Sequence, residues 1–254
     1  MSSARQSASW ELQTQQILLP KSGFDASECE DSIGIDEQNC RFAVADGATE
    51  AFDARNWAER LAQNWVSSDS ALTAETFHEW VANEGLELHA SWKHLKLPWY
   101  AEEKARKGSF AAFVGLELDL RTDAPSWKTI ALGDACLLHC RDGALIKSLP
   151  LSHSASFNSA PVLVASDPAI YKTTEQSLVI ESGCCENGDV LLLASDAAAA
   201  WFLERFEQNN FCDVFKCYGI EAVAEFFENQ RHAGRIRNDD IAVLRLELQQ
   251  RSIS

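Results

Sequence analysis

The chain has 254 residues, 46% apolar and 24% charged, a globular balance that excludes a disordered or fibrous polypeptide and is enough for one large domain. Acidic side chains outnumber basic ones 38 to 22, for a net charge of −16. That argues against a nucleic-acid partner and against an anionic membrane, since lysine and arginine supply most of the affinity for both, while it suits hard divalent cations. No apolar run is long enough to span a bilayer; the longest, 190–203, is interrupted by Ser195 and Asp196. The opening MSSARQSASWELQTQQ has no apolar signal region, so a cytoplasmic chain with its eight cysteines reduced is expected. With no CxxC pair and scattered histidines, a zinc site is not expected.

A first strand is expected at 15–19 and a second at 41–45 (RFAVA), closed by Asp46-Gly47. Trp57, Ala58, Leu61 and Trp65 recur at helical spacing and predict a helix over 52–66. Phe77, Trp80, Val81 and Leu88 predict another over 74–95, stopped by Pro98. The period then changes to that of strands: 110–118, 127–132, 135–140 and 144–149. Gly133-Asp134 and Arg141-Asp142-Gly143 separate the last three and read as hairpin turns of an antiparallel meander. The stretch 152–186 is polar and irregular, with a short strand near 162–165 and a turn at Ser166-Asp167-Pro168. DVLLLA at 189–194 is a buried strand, followed by an alanine-rich helix from Asp196 to about 206. A helix over 220–229 and a strand over 241–248 complete the series. Strands in adjacent runs with helices grouped around them predict an α+β fold with antiparallel sheets. Without repeats or a low-complexity linker, residues 1–254 are expected to form a single domain.

Four acidic positions lie beside buried strands: Glu30-Asp31, Asp46, Asp196 and Asp239. Converging, they make an oxygen-rich pocket suited to Mg²⁺ or Mn²⁺. Each also has a local reading: Asp46-Gly47 as a turn, Asp196 as a helix N-cap, and Asp239-Asp240 as a solvated turn. Gly133-Asp134 is assigned to its hairpin. A cysteine-phosphatase loop at His139-Cys140-Arg141 is excluded, because Cys-x5-Arg would require arginine where Ile146 stands.

Six segments in order, CEDSIGID, FAVADGATEA, KGSFAAFVGLEL, TIALGDACLLHCRDG, GDVLLLASDAAAAW and NDDIAVLRLEL, resemble the acidic, DG, Gly-Ser/Thr, GDS, SD and final DD motifs of the PPM (protein phosphatase 2C-like) family, in a divergent bacterial-type branch. The resemblance covers roughly 22–248. It implies two stacked antiparallel sheets flanked by helices, a four-layer α/β/β/α sandwich, with two Mn²⁺ or Mg²⁺ ions at one end. By position, Asp46 corresponds to the bridging carboxylate, the Gly47 carbonyl to a further ligand, Asp196 and Asp239 to the remaining metal carboxylates, and Glu30 and Asp31 to the pair holding metal-bound waters. The implied activity is hydrolysis of phosphoserine and phosphothreonine by direct attack of a metal-bridging water. The implied partners are a phosphorylated protein and a cognate Ser/Thr kinase, and the chain is expected to be a signalling enzyme and a monomer.

The departures are specific. Ala48 follows the DG pair and offers no proton, Ala197 follows Ser195-Asp196, and Ala242 replaces a frequent threonine. No aspartate for a third ion precedes the Gly-Ser strand, where only Glu102 and Glu103 are near. The usual phosphate-gripping arginine is missing, leaving Lys21 as a non-bidentate substitute. These features define the alternative reading, a weak or inactive pseudophosphatase that binds a phosphoprotein as a regulatory module.

Overall fold

A computed structural model describes residues 10–68, 73–157, 160–171 and 177–251; most of the opening stretch 1–16 lies outside them. The strands are β1 (Trp10–Leu19), β2 (Asp31–Asp36), β3 (Arg41–Gly47), β4 (Phe110–Asp119), β5 (Ser126–Leu132), β6 (Cys136–Arg141), β7 (Ala144–Leu149), β8 (Val164–Ala165), β9 (Val179–Cys184), β10 (Val190–Ala194) and β11 (Ile241–Gln250). The helices are α1 (Ala54–Ser67), α2 (Ala74–Trp92), α3 (Trp99–Lys107), α4 (Pro168–Tyr171), α5 (Asp196–Glu207), α6 (Val214–Tyr218) and α7 (Ile220–His232). One antiparallel sheet runs β1-β11-β10-β6-β7, the other β2-β3-β4-β5-β9 with β8 beside β4.

The two-residue period of the strands sorts their side chains into layers. In β10, Leu191 and Leu193 point between the sheets, against Val44, Val114 and Leu116 from the facing sheet. Val190, Leu192 and Ala194 point outward, under Trp201, Phe202 and Phe227 of α5 and α7. On the other side, Trp57, Leu61 and Trp65 of α1 cover Ala43, Ala45 and Phe113. Helix, sheet, sheet, helix: the expected four layers are present. The approach of α1 is close enough that a Cβ at Gly34 would stand 2.1 Å from the Ala62 carbonyl oxygen.

Several local expectations change. Gly133-Asp134 is not a hairpin, because β5 and β6 belong to opposite sheets. The chain crosses the sandwich there; Gly133 has φ +102° and a Cβ on it would meet that of Ala112 at 2.6 Å, so tight inter-sheet packing overrides the turn signal. Asp142-Gly143 is the hairpin turn, with both residues at positive φ. The second helix stops at Trp92, and α3 resumes beyond Pro98. The irregular stretch contains β9, paired along β5 with alternating burial, and a short α6 precedes α7. Ser195, not Asp196, occupies the N-cap of α5, so Asp196 is that helix's first residue. Cys212 and Cys217 are joined as a disulfide across α6, against the expectation of eight reduced thiols, with Cα atoms 7.1 Å apart, beyond the usual span of roughly 4.4–6.8 Å; the other six cysteines are free thiols. No helix among the described residues is long and apolar enough to cross a membrane.

Candidate metal centre

Antiparallel register brings the acidic positions together. Ala194, at the end of β10, pairs with Cys136 at the start of β6 and with Val243 near the start of β11. The residues just outside those ends, Asp196, Asp134 and Asp239, therefore share one edge of the sandwich. Asp46, near the end of β3, reaches the same edge from the facing sheet; its Oδ2 accepts from the Asp196 backbone N–H at 3.3 Å. Asp31 pairs with Asp46 across β2 and β3. The result is a cleft of ≈ 380 Å³ whose lining includes Asp46, Gly47, Asp134, Asp196, Arg237 and Asp239.

One carboxylate oxygen from each of Asp46, Asp134 and Asp196 lies within 4.8 Å of the other two. At that spacing two negative charges repel by about 3–4 kcal/mol at an effective dielectric of ~20. Burial and this repulsion push the carboxyls up. Burial, then Asp31 and Asp196, holds Asp46 well above the usual carboxylate range. Burial and then Asp196 push Asp134 to about 7. Asp31 also stands well above its ordinary value through burial, although the Ser195 hydroxyl beside it pulls the other way. Burial raises Asp196 against the opposing pull of Arg237. Protein cations only partly answer this charge: the Arg237 guanidinium contacts Asp196 and lies 3.1 Å from Asp239.

The donor set fits a divalent cation. It is all oxygen, it crowds negative charge, and the buried Asp31 Oδ2 has no hydrogen-bond partner, an arrangement that a hard cation and its waters relieve. Glu30 lies at the rim, 3.6 Å from the Lys21 ammonium, which also stands 3.3 Å from Asp239 and donates to Thr49 Oγ1 at 2.8 Å. Burial works against the Lys21 charge, but Asp239, Asp240 and Glu30 outweigh it and hold its pKa above the ordinary value. Asp240 is a buried clamp rather than a solvated turn: its oxygens accept from the backbone N–H groups of Lys21 and Glu30, both at 2.8 Å.

Sequence reasoning missed two members of the cleft. Asp134 was assigned to a turn, although it follows a buried strand as Asp46 and Asp196 do. Arg237 carried no signal beyond standing two positions before Asp239. A second cluster, His139, Cys185 and Asp189, also has metal-ligand spacing, but it is already satisfied. Asp189 accepts from Arg141 Nε and Nη2 at 2.8 and 2.9 Å, from the Glu186 backbone at 2.8 Å and from His139 Nε2 at 2.8 Å. Trp127 Nε1 donates to the other ring nitrogen of His139 at 3.3 Å.

No protein-family model matches the sequence, nor does any curated protein. Solved structures do match in fold. The Mycobacterium tuberculosis serine/threonine phosphatase PstP/Ppp is 14% identical with a TM-score of 0.61, covering 94% of this chain and 99% of its own. The catalytic domain of PstP in complex with two manganese ions is 13% identical at a TM-score of 0.58, covering 94% and 99%. A bacterial serine phosphatase is 12% identical at 0.58, covering 96% and 100%. The chain therefore has the fold of the PP2C-type phosphatases, with its acidic cleft at the edge where four strand ends meet.

Proposed function

We propose that this chain, as one domain over residues 1–254, is a metal-dependent phosphatase that hydrolyses phosphoserine and phosphothreonine in proteins. The observation that carries the reading is the convergence of Asp46, Asp134 and Asp196, three carboxylates that crowd one another within 4.8 Å. Asp46, Asp196 and Asp239, with the Gly47 carbonyl, hold two Mn²⁺ or Mg²⁺ ions, and Asp134 adds a carboxylate to that set. Asp31 and Glu30 orient the waters around them. Bound there, such ions neutralise phosphoryl charge and supply a water of lowered pKa.

The chain's own residues do the rest. Arg237 offers a planar fork that matches two phosphoryl oxygens, and Lys21 offers a point charge at the rim. Ala48 supplies no proton, so solvent protonates the leaving group and aryl phosphates turn over faster than phosphoserine. Cys136 and Cys140 are unsuited as nucleophiles: both are buried, and burial pushes both thiols up to about 12.

The test is turnover of an aryl phosphate and a phosphothreonine peptide with and without Mn²⁺, alongside thermal melts. Hydrolysis that needs Mn²⁺ and stops with EDTA is expected, with a melting temperature several degrees higher; a ligand at a hundredfold excess over its Kd adds about 2.7 kcal/mol. The absence of both turnover and a melting shift overturns the reading. A melting shift with phosphopeptide binding but no turnover selects the regulatory module, the reading that Ala48 favours.

A further inference from the structure

The helix at the mouth of the acidic cleft differs from the rest of the molecule. Helix α3 buries none of its residues. Trp99, Tyr100 and the preceding Leu95 are 77%, 60% and 52% exposed, and the two aromatic rings meet edge to face at 6.0 Å. Lys93, Lys96, Lys104, Arg106 and Lys107 flank them along the chain, against only Glu102 and Glu103, the latter 3.7 Å from Lys107. A chain of net charge −16 thus carries a basic, aromatic patch on one short stretch. That stretch is tied to the cleft at two points. The Lys104 ammonium stands 3.7 Å from Glu50, a residue lining the cleft. Just past the end of α3, the Phe110 carbonyl accepts from the backbone N–H of Ala48, the neighbour of Gly47, at 2.9 Å.

We infer that the 93–107 segment is the substrate-docking rim of the cleft, and that it takes phosphoproteins whose phosphorylated residue is flanked by acidic side chains; this rests on the phosphatase reading. The lysines and Arg106 attract the acidic flank, and Trp99 and Tyr100 supply rigid apolar area for its backbone and neighbouring side chains. Attraction of this kind acts over about 8 Å at physiological salt. A peptide engages the rim without meeting the rest of the acidic surface. An extended anionic membrane meets that surface too and is repelled, which favours the peptide as occupant.

The experiment uses the full chain with Mn²⁺ and two fluorescent phosphothreonine peptides, one with aspartate and glutamate flanks and one with serine and alanine flanks. Anisotropy gives Kd and phosphate release gives kcat and KM. The acidic peptide binds about tenfold more tightly, with the difference in KM rather than kcat. Arg106→Glu/Lys107→Glu abolishes that preference and Trp99→Ala weakens binding of both peptides, while hydrolysis of a small aryl phosphate is unchanged in each. Equal affinity for the two peptides, a preference that survives the charge reversal, or peptide binding that is unchanged by Trp99→Ala overturns the inference. So does binding to phosphatidylserine/phosphatidylcholine vesicles that is lost in the variants while the peptides are not distinguished. If the aryl phosphate is not hydrolysed, the catalytic reading has failed, and anisotropy alone decides whether the rim docks acidic phosphopeptides.

Discussion

Strand β10 is flanked by a buried or nearly buried aspartate at each end, Asp189 and Asp196, roughly 20 Å apart along the strand. Asp189 is fully buried and both of its oxygens are answered, Oδ1 by Arg141 and Oδ2 by Arg141, His139 and a backbone N–H. Burial alone would raise its pKa, yet these donors, Arg141 foremost, leave it below the ordinary carboxylate range. Asp196 stands instead among Asp46, Asp134 and Asp239, with one arginine between them. The same residue type on one strand is thus a solved electrostatic problem at one end and an open one at the other. A fold has no structural need for the second arrangement, since like charges held together destabilise the native state; protonation and Arg237 relieve it in part, and a ligand of opposite charge would relieve it further.

Replacing Asp46 with asparagine tests the open end most severely. Turnover should fall by about two orders of magnitude or more, while the metal-free protein melts at the same or a higher temperature because repulsion is removed. Loss of both activity and fold would mean that Asp46 serves packing. At the closed end, Asp189→Asn leaves Arg141 and His139 without their partner and should cost about 3–5 kcal/mol in denaturant unfolding, with activity per folded molecule intact. If Asp189→Asn is neutral in stability, the contrast between the ends collapses.

The two ends also predict opposite pH trends. A raised carboxyl binds more protons in the native state than in the unfolded one, so Asp134 makes the metal-free protein less stable as pH rises from about 4 to about 7. In EDTA, the gain from Asp134→Asn should grow across that window. The depressed Asp189 contributes stability that is present above the unfolded carboxyl pKa near 3.9 and lost as pH falls through its lower native value. The cost of Asp189→Asn should therefore shrink in acid. Unfolding curves for both variants from acid to neutral pH check the two signs together. The smallest effect belongs to Glu186, the solvent-facing partner of Arg141 with a side chain 66% exposed. Glu186→Gln should change stability by under about 1 kcal/mol, as exposed pairs do; a larger loss would place the closed end's stability in its outer pair.

Layers and strand ends were legible because they are periodic. DVLLLA and IAVLRLEL alternate or run apolar as strands covered on both faces must, and the carboxylates beside them stand out by contrast. What was illegible depends on partners distant in sequence. Gly133-Asp134 satisfies the local rule for a hairpin, and only the fact that β5 and β6 enter different sheets sends Asp134 into the cleft. Asp189 reads as the polar cap of a strand until Arg141 and His139 arrive from β6, 48 and 50 positions away. Helix α3 escaped because its sequence has no apolar face to bury, so helical periodicity had nothing to mark. Asp239-Asp240 looks like a surface turn, and the clamp on Lys21 and Glu30 spans more than 200 positions.

The pairing of β1 with β11 bears on the order of events during synthesis. Arg245 and Gln15, hydrogen-bonded across it, are 230 positions apart, and β11 separates β1 from β10 in their sheet. Until β11 leaves the ribosome, β1 has no neighbour and β10 is open along one side. Closing so long a loop is slow, though its entropic cost grows only logarithmically with length. Asp239 and Arg237 arrive with the same segment. The nascent chain therefore completes its cation cleft and closes its five-stranded sheet in one late step, and a chain stalled before that step has neither.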